Sequence, residues 1–219
     1  MDIIWYGHSF FEIGVKSPDA SNQKIKVVID PFDKKVGLTP KTVSADILLI
    51  SHSHYDHANK KVVKGNFYTI EEAGEYEVKK IRIKGVNSFH DDKSGAKRGL
   101  NIFYIIQAED MRICHLGDFG QSQLLVEQKK ELIDIDILML PVGGVFTISG
   151  SEAARLVFEI EPKVVIPMHY RIPGLKVAIN DEKEFLSRIE IEPKIVDKLK
   201  IKKSDLPKDK IEVCILKPQ

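Results

Sequence analysis

Cysteine is scarce in this 219-residue chain: Cys114 and Cys214 are the only two, and they lie far apart. That spacing excludes a Cys-x-x-Cys zinc site and a disulfide framework, and leaves two reduced thiols packed as small hydrophobes as the expectation. No apolar run is long enough to span a bilayer, so no membrane association is expected. Nothing near Met1 resembles a signal peptide, since Met1-Asp2 opens straight into a strand-like run; the expected location is cytoplasmic. Charge of one sign is also missing. Lys and Arg total 33 against 32 Asp and Glu, for a formal net charge of +1, which supplies no basic field for a polynucleotide. There is no Gly/Ser-rich or Pro-rich linker, no low-complexity tract and no short-period repeat, so a single domain over residues 1–219 is expected. What remains is an ordinary apolar content, 43% hydrophobic with 30% charged, enough for a substantial core.

The first third carries strand signals. Ile3-Ile4-Trp5-Tyr6, Phe10 to Ile13 and Lys24 to Asp30 read as strands, with a turn at Ser17-Pro18-Asp19. Asp46 to Ile50 holds an unbroken apolar run of the kind buried on both faces. Tyr76 to Val78, Ile81 to Ile83, and a hairpin of Leu100–Ile106 with Met111–Leu116 continue the pattern. Later the chain alternates. A helix is expected over Gln121–Leu132 and a strand over Ile135–Leu140. Ser149 and Glu152 stand at capping-box spacing before a helix reaching Ile160. Lys163–Ile166 reads as a strand, a helix capped by Asn180-Asp181 runs to Ile189, and Ile211, Val213 and Ile215 alternate in a last strand. Strands first and helix–strand alternation later imply an α/β architecture of two sheets with helices outside.

The densest chemistry follows Leu48-Leu49-Ile50. His52, His54, Asp56 and His57 place three imidazoles and a carboxylate within six positions. Such a cluster is costly to hold unless it grips a divalent cation, for which imidazole nitrogen and carboxylate oxygen are suitable donors. His90, Asp118 and His169 stand near other strand ends, where a rigid sheet carries functional loops. One ion can then take His52, His54 and His90, and a second Asp56, His57 and His169, with Asp118 reaching both. Each would keep a position open for water, whose pKa a divalent ion lowers from about 15.7 to about 7. Zinc is the first expectation; manganese or iron suits the same donors. His8, in Gly7-His8-Ser9, is expected either to donate to a substrate oxyanion or to close a turn. Asp30 is expected to orient a ligand histidine, and His115 to lie in the core or behind the ligands. Asp91 and Asp92 are further donors near His90, in a segment running to Gly99 that reads as mobile. Gly143-Gly144 is read as a tight turn in preference to an anion-binding nest, and Lys198 to Lys203 as a solvated face.

His-x-His-x-Asp-His after a buried strand, followed by a distant His, a Gly-Asp and a final His, resembles the metallo-β-lactamase fold superfamily. Trp5-Tyr6-Gly7-His8-Ser9, Val28-Ile29-Asp30-Pro31-Phe32, His115-Leu116-Gly117-Asp118, Leu140-Pro141-Val142-Gly143-Gly144 and Ile166-Pro167-Met168-His169-Tyr170 resemble its small single-domain metal-dependent hydrolases, which include relatives of the L-ascorbate-6-phosphate lactonase. The likeness runs from about Ile3 to about Tyr170. It implies a four-layer αβ/βα sandwich with the site along one sheet edge, two divalent ions, and hydrolysis of a small ester, lactone or phosphoester, anionic substrates included. Asp118 would fix the nucleophilic water and Asp56 share in catalysis. Phosphodiester cleavage of the nuclease type, redox chemistry at iron, and metal binding without catalysis are the competing readings. The sequence leaves oligomeric state open, a homo-oligomer included. Val145-Phe146-Thr147-Ile148 and Arg171 depart from the pattern and are expected to line the substrate pocket.

Overall fold

A computed structural model describes residues 1–17 and 23–219; most of the turn expected at Ser17-Pro18-Asp19 lies outside them. In chain order the elements are β1 (Asp2–Trp5), β2 (Phe11–Lys16), β3 (Lys24–Ile29), β4 (Val43–Ser44), β5 (Ile47–Leu49), β6 (Val63–Lys64), β7 (Tyr68–Ile70), β8 (Gly74–Val78), β9 (Ile81–Phe89), β10 (Leu100–Ala108), β11 (Met111–His115), α1 (Val126–Glu131), β12 (Ile137–Pro141), α2 (Gly150–Ile160), β13 (Val164–Met168), α3 (Lys183–Ile189), β14 (Lys194–Val196), β15 (Leu199–Lys200) and β16 (Glu212–Leu216). Among the described residues they form a six-stranded sheet, β15-β1-β2-β3-β5-β7, an eight-stranded sheet, β14-β16-β13-β12-β11-β10-β9-β8, and a β4–β6 ribbon.

The expected mixed α/β sandwich follows from side-chain alternation. In β3 and β5, Val27, Ile29, Ile47 and Leu49 join the large core between the sheets. Val28 and Leu48 point the other way, into a second cluster with Phe10, Phe32, Val36 and Ile50. A strand whose two faces are both buried must read as a continuous apolar run. The outer face of the smaller sheet is covered by loop, short 3₁₀ turns at Lys34–Val36 and Lys60–Val62, and the ribbon. Ala153, Leu156 and Val157 of α2 and Phe185 and Ile189 of α3 join the core on the side of the larger sheet.

Three local expectations change. The helix expected from Gln121 starts only at Val126. Before it, the buried Gln121 side chain accepts from the Phe89 N–H at 3.1 Å and donates to the Gln123 carbonyl at 2.6 Å, stitching an extended lead-in to the end of β9. The cap of α3, which starts at Lys183, forms in part: Asp181 Oδ1 accepts from the Lys183 N–H at 3.3 Å, while Asn180 takes no part in it. The Asn180 backbone is committed elsewhere, donating to the Gly143 carbonyl at 2.8 Å and accepting from the Arg171 N–H at 2.8 Å. Within the lysine-rich stretch, Leu199 and Lys200 form an edge strand against Ile3 and Asp2 instead of a purely solvated face. The capping box at Ser149 forms as expected, Glu152 accepting from the Ser149 N–H at 2.8 Å.

Strand directions gather the site. The β3–β5–β7 and β11–β12–β13 neighbours run parallel. Their carboxyl ends therefore share an edge, the place where open α/β sheets bind ligands. Asp30 follows β3, the His52–His57 loop follows β5, Asp118 follows β11 and His169 follows β13. The two sheets are tied there as well: the Ile102 N–H donates to the Ser51 carbonyl at 2.9 Å, and the Tyr104 hydroxyl to the Ile50 carbonyl at 2.8 Å.

Candidate metal centre

Asp118 is the hub. Its side chain is buried, with Oδ2 at 3.2 Å from His90 Nε2, 3.3 Å from His169 Nε2 and 4.0 Å from His52 Nε2, while Oδ1 lies 3.1 Å from His57 Nε2. The donors fall into overlapping groups: His8, Asp56, His57 and His169; His52, His54 and His90; and His52, His57 and Asp118. All seven residues expected as ligands are thus brought together; His8 joins the Asp56 side, and His52 and His57, expected on different sides, share a group with Asp118.

Asp30 determines which nitrogens face Asp118. Fully buried, it accepts from the Ser51 N–H at 2.7 Å, the Ser51 hydroxyl at 2.6 Å and His57 Nδ1 at 2.9 Å. A carboxylate only accepts, so His57 carries its proton on Nδ1 and turns a lone pair at Nε2 toward the centre. The Ser51 hydroxyl, spent on Asp30, accepts in turn from His52 Nδ1 at 2.9 Å, which fixes the same tautomer there. The result is two imidazole lone pairs aimed at a carboxylate. His52 Nε2, His57 Nε2 and Asp118 Oδ1 are all buried without a hydrogen-bond partner. Anion facing lone pair is repulsive, and it is reconciled by a proton or by a cation between them. Burial opposes a proton on His57, but Asp118 and Asp30 outweigh it and push its pKa well above the usual imidazole value. A divalent ion supplies the positive charge with the imidazole neutral, so the donor set fits a metal.

The supporting residues include some the sequence did not reveal. Asn101, fully buried, accepts from the Asp118 N–H at 2.9 Å and donates to Ser88 Oγ at 2.7 Å and to the Leu116 carbonyl at 2.9 Å, fixing the Asp118 loop. Gly117, at φ +57°, has no room for a Cβ, which would lie 2.4 Å from Asn101 Oδ1. His115 donates from Nε2 to the Ser9 carbonyl at 3.1 Å and accepts from the Gly117 N–H at 3.1 Å, a neutral bridge between two site loops; burial lowers its pKa. The Gly143 and Gly144 N–H groups donate to the His169 and Ile148 carbonyls, so they serve a turn and not an anion.

His8 is not among the residues that line the cavity. It is fully buried, and its Nε2 is 3.1 Å from Asp56 Oδ2. Burial, aided by His169, pushes His8 down from 6.5 to about 4 despite the pull of Asp56. The unfolded chain keeps the ordinary value, so between pH 6.5 and 4 it binds the additional proton, and folding weakens as pH falls. In chelator-treated protein the acid-side loss of stability attributable to His8 is expected to be on the order of 2–3 kcal/mol. Thermal melting of wild type against His8→Asn from pH 7 to 4 measures it; parallel curves would remove His8 as the cause.

The segment after His90 is organised, not loose. Asp91 accepts from the N–H groups of Lys93, Gly95, Lys97 and Arg98 at 2.7–2.9 Å. Burial raises its pKa, but these four donors prevail and hold it down at about 2. Asp91 is therefore spent on its own backbone, and Asp92 pairs with Lys93; neither belongs to the donor groups. Over the centre opens a cavity of about 480 Å³ lined by His54, Tyr55, Asp56, His90, Arg98, Asp118, Phe146, His169, Val177 and Ala178. Thr147 and Arg171, expected to line it, do not. The Arg171 side chain is 61% exposed and pairs with Asp181, and the Thr147 hydroxyl turns to the Ile148 carbonyl.

This fold and edge-sited cluster of His and Asp define the metallo-β-lactamase type of protein. The family model described as the beta-lactamase superfamily domain matches residues 2–169. The chain belongs to that superfamily. A UPF0173 metal-dependent hydrolase of Thermococcus onnurineus is 30% identical, covering 97% of this chain and 94% of its own length; that of Methanopyrus kandleri is 29% identical over 87% and 92%. A Thermotoga maritima structure, assigned to the Zn-dependent hydrolases of the metallo-beta-lactamase superfamily, superposes with a TM-score of 0.76 at 33% identity, covering 98% of this chain and 97% of that one. The chain is a metal-dependent hydrolase. Among the described residues no helix is long and apolar enough to cross a membrane.

Proposed function

We propose that this protein hydrolyses a small ester, lactone or phosphoester at a centre of two divalent ions, zinc first, in a single cytoplasmic domain over residues 1–219. The observation that carries the reading is Asp118, one carboxylate shared between two groups of donors. Divalent ions held there supply an activated water and polarise the scissile group. The chain's own part is positional. Asn101 holds the Asp118 backbone, Asp30 sets the His52 and His57 tautomers, and His8 holds Asp56. Asp118 and Asp56 both line the cavity, within reach of a proton released there. A space of about 480 Å³ suits a small molecule, and the near-neutral charge gives a polynucleotide little hold. The resemblance to ascorbate-phosphate lactonase relatives makes lactones the first arm of a panel.

Elemental analysis followed by lactones, carboxylic esters, phosphomonoesters and phosphodiesters tests the reading. Two ions per chain and turnover of at least one class are expected, with His54→Ala abolishing turnover while melting like the wild type. Absence of stoichiometric metal, or unchanged turnover in His54→Ala, would sink it.

A further inference from the structure

Arg98 stands out among the residues that line the cavity. It brings a permanent positive charge to a wall otherwise made of the metal donors, Tyr55, Phe146, Val177 and Ala178. Two contacts hold it. Its Cζ lies 5.3 Å from the Phe146 ring centroid, and Nη2 donates to the Val145 carbonyl at 3.3 Å. Both partners belong to one strained turn: Val145 is β-branched yet sits at φ +62°, a conformation such residues rarely adopt. The opposite side is equally fixed, because the Arg98 N–H donates to Asp91 at 2.7 Å.

The guanidinium has five N–H donors, and these contacts use one of them. Among the described residues no carboxylate pairs with it. The two nearest in sequence are engaged, Asp91 by backbone N–H groups and Asp92 by Lys93 and Lys97. Arginine at the surface needs no partner. An arginine stacked on a ring, half-buried, and set in the wall of a catalytic cavity is a preorganised fork for carboxylate or phosphate oxygens.

We propose that Arg98, stacked on Phe146, is a specificity-determining residue that binds an anionic headgroup of the substrate, carboxylate or phosphate. This rests on the hydrolase reading above and narrows its substrate class to anionic esters or lactones. The neutral part of such a substrate would lie along Val177 and Ala178.

Binding tests it without relying on turnover. Calorimetric titration of metal-loaded protein with succinate, glutarate and adipate, each against its half-amide, measures the worth of the second anion; phosphonoacetate against its amide tells a phosphoryl headgroup from a carboxyl one. At least one diacid is expected to bind tenfold or more tighter than its half-amide. Arg98→Met is expected to erase that preference and Arg98→Lys to keep part of it, with ion content and melting unchanged in both. Equal affinities in the wild type, or a preference that survives in Arg98→Met, overturns the proposal. Failure of the hydrolase reading is separately visible, as Arg98-dependent selectivity without turnover of any panel compound.

Discussion

Asp118→Asn is expected to lower kcat/KM by about a thousandfold or more and to remove at least one metal ion per chain. The size follows from the position. Among the described residues Asp118 is the one carboxylate within 4.0 Å of His52, His57, His90 and His169 at once. Burial raises its pKa, but His169 and His57 outweigh burial and hold it well below the usual carboxylate range. Two anionic oxygens are therefore available between the two donor groups. Asparagine keeps the shape but offers one neutral oxygen, and turns an amide N–H₂ toward imidazole lone pairs or toward a cation. A metal ion contributes several kcal/mol of charge stabilisation, and each ~1.4 kcal/mol is tenfold in rate. Elemental analysis and steady-state kinetics check both halves. Full ion content with activity within tenfold of wild type would show that the two donor groups work without a shared carboxylate.

The residues that were legible in the sequence are those whose chemistry is compressed into a few positions or placed at a strand end. His52, His54, Asp56 and His57 are nearly contiguous, and nothing but a ligand rationalises that density. Asp118 and His169 are single residues, readable because buried apolar runs precede them and parallel strands bring their ends to one edge; His90 follows β9, an alternating strand with antiparallel neighbours, and was readable only as a further histidine at a strand end. The sheet order was not legible, since the β15–β1 pairing joins residues about two hundred positions apart and is set by tertiary contact. Arg98 was hidden for a different reason. The stretch Asp92 to Gly99 is polar and glycine-containing, which reads as mobile, yet the Asp91 carboxylate replaces regular secondary structure as the acceptor of its N–H groups. The signal available was the acidic residue ahead of a glycine-containing segment, an Asx-type organiser. Thr147 and Arg171 show the converse. They depart from the family pattern, but the turn at Val145 directs Phe146, not Thr147, to the cavity, and Arg171 is drawn off by Asp181.

Asp30→Asn is expected to weaken metal binding by about 10–100-fold, the usual effect of removing the partner of a ligand histidine, although Asp30 belongs to none of the donor groups. The cause is tautomeric. The wild-type carboxylate takes three donors: the Ser51 N–H, the Ser51 hydroxyl and the His57 Nδ1–H. If the asparagine oxygen serves Ser51, its N–H₂ meets the Nδ1–H of His57, donor against donor. Relief requires His57 to move its proton to Nε2, which then presents N–H to Asp118 and no lone pair to a metal. The change also leaves a buried donor unsatisfied, at about 1–3 kcal/mol of stability. Ser51→Ala separates the two effects. It keeps the Asp30–His57 bond and deletes one hydroxyl, for about 1 kcal/mol, while releasing His52 Nδ1 from its fixed partner. Metal affinity is then expected to rank wild type first, Ser51→Ala next and Asp30→Asn last, measured by competition with a chromogenic chelator, with chemical denaturation giving the stability of each. Wild-type affinity in Asp30→Asn beside a large loss of stability would make Asp30 a purely structural anchor. A loss of affinity that tracks the histidine protonation seen by nitrogen NMR would place control of the centre in the loop after β3, one hydrogen bond removed from any metal.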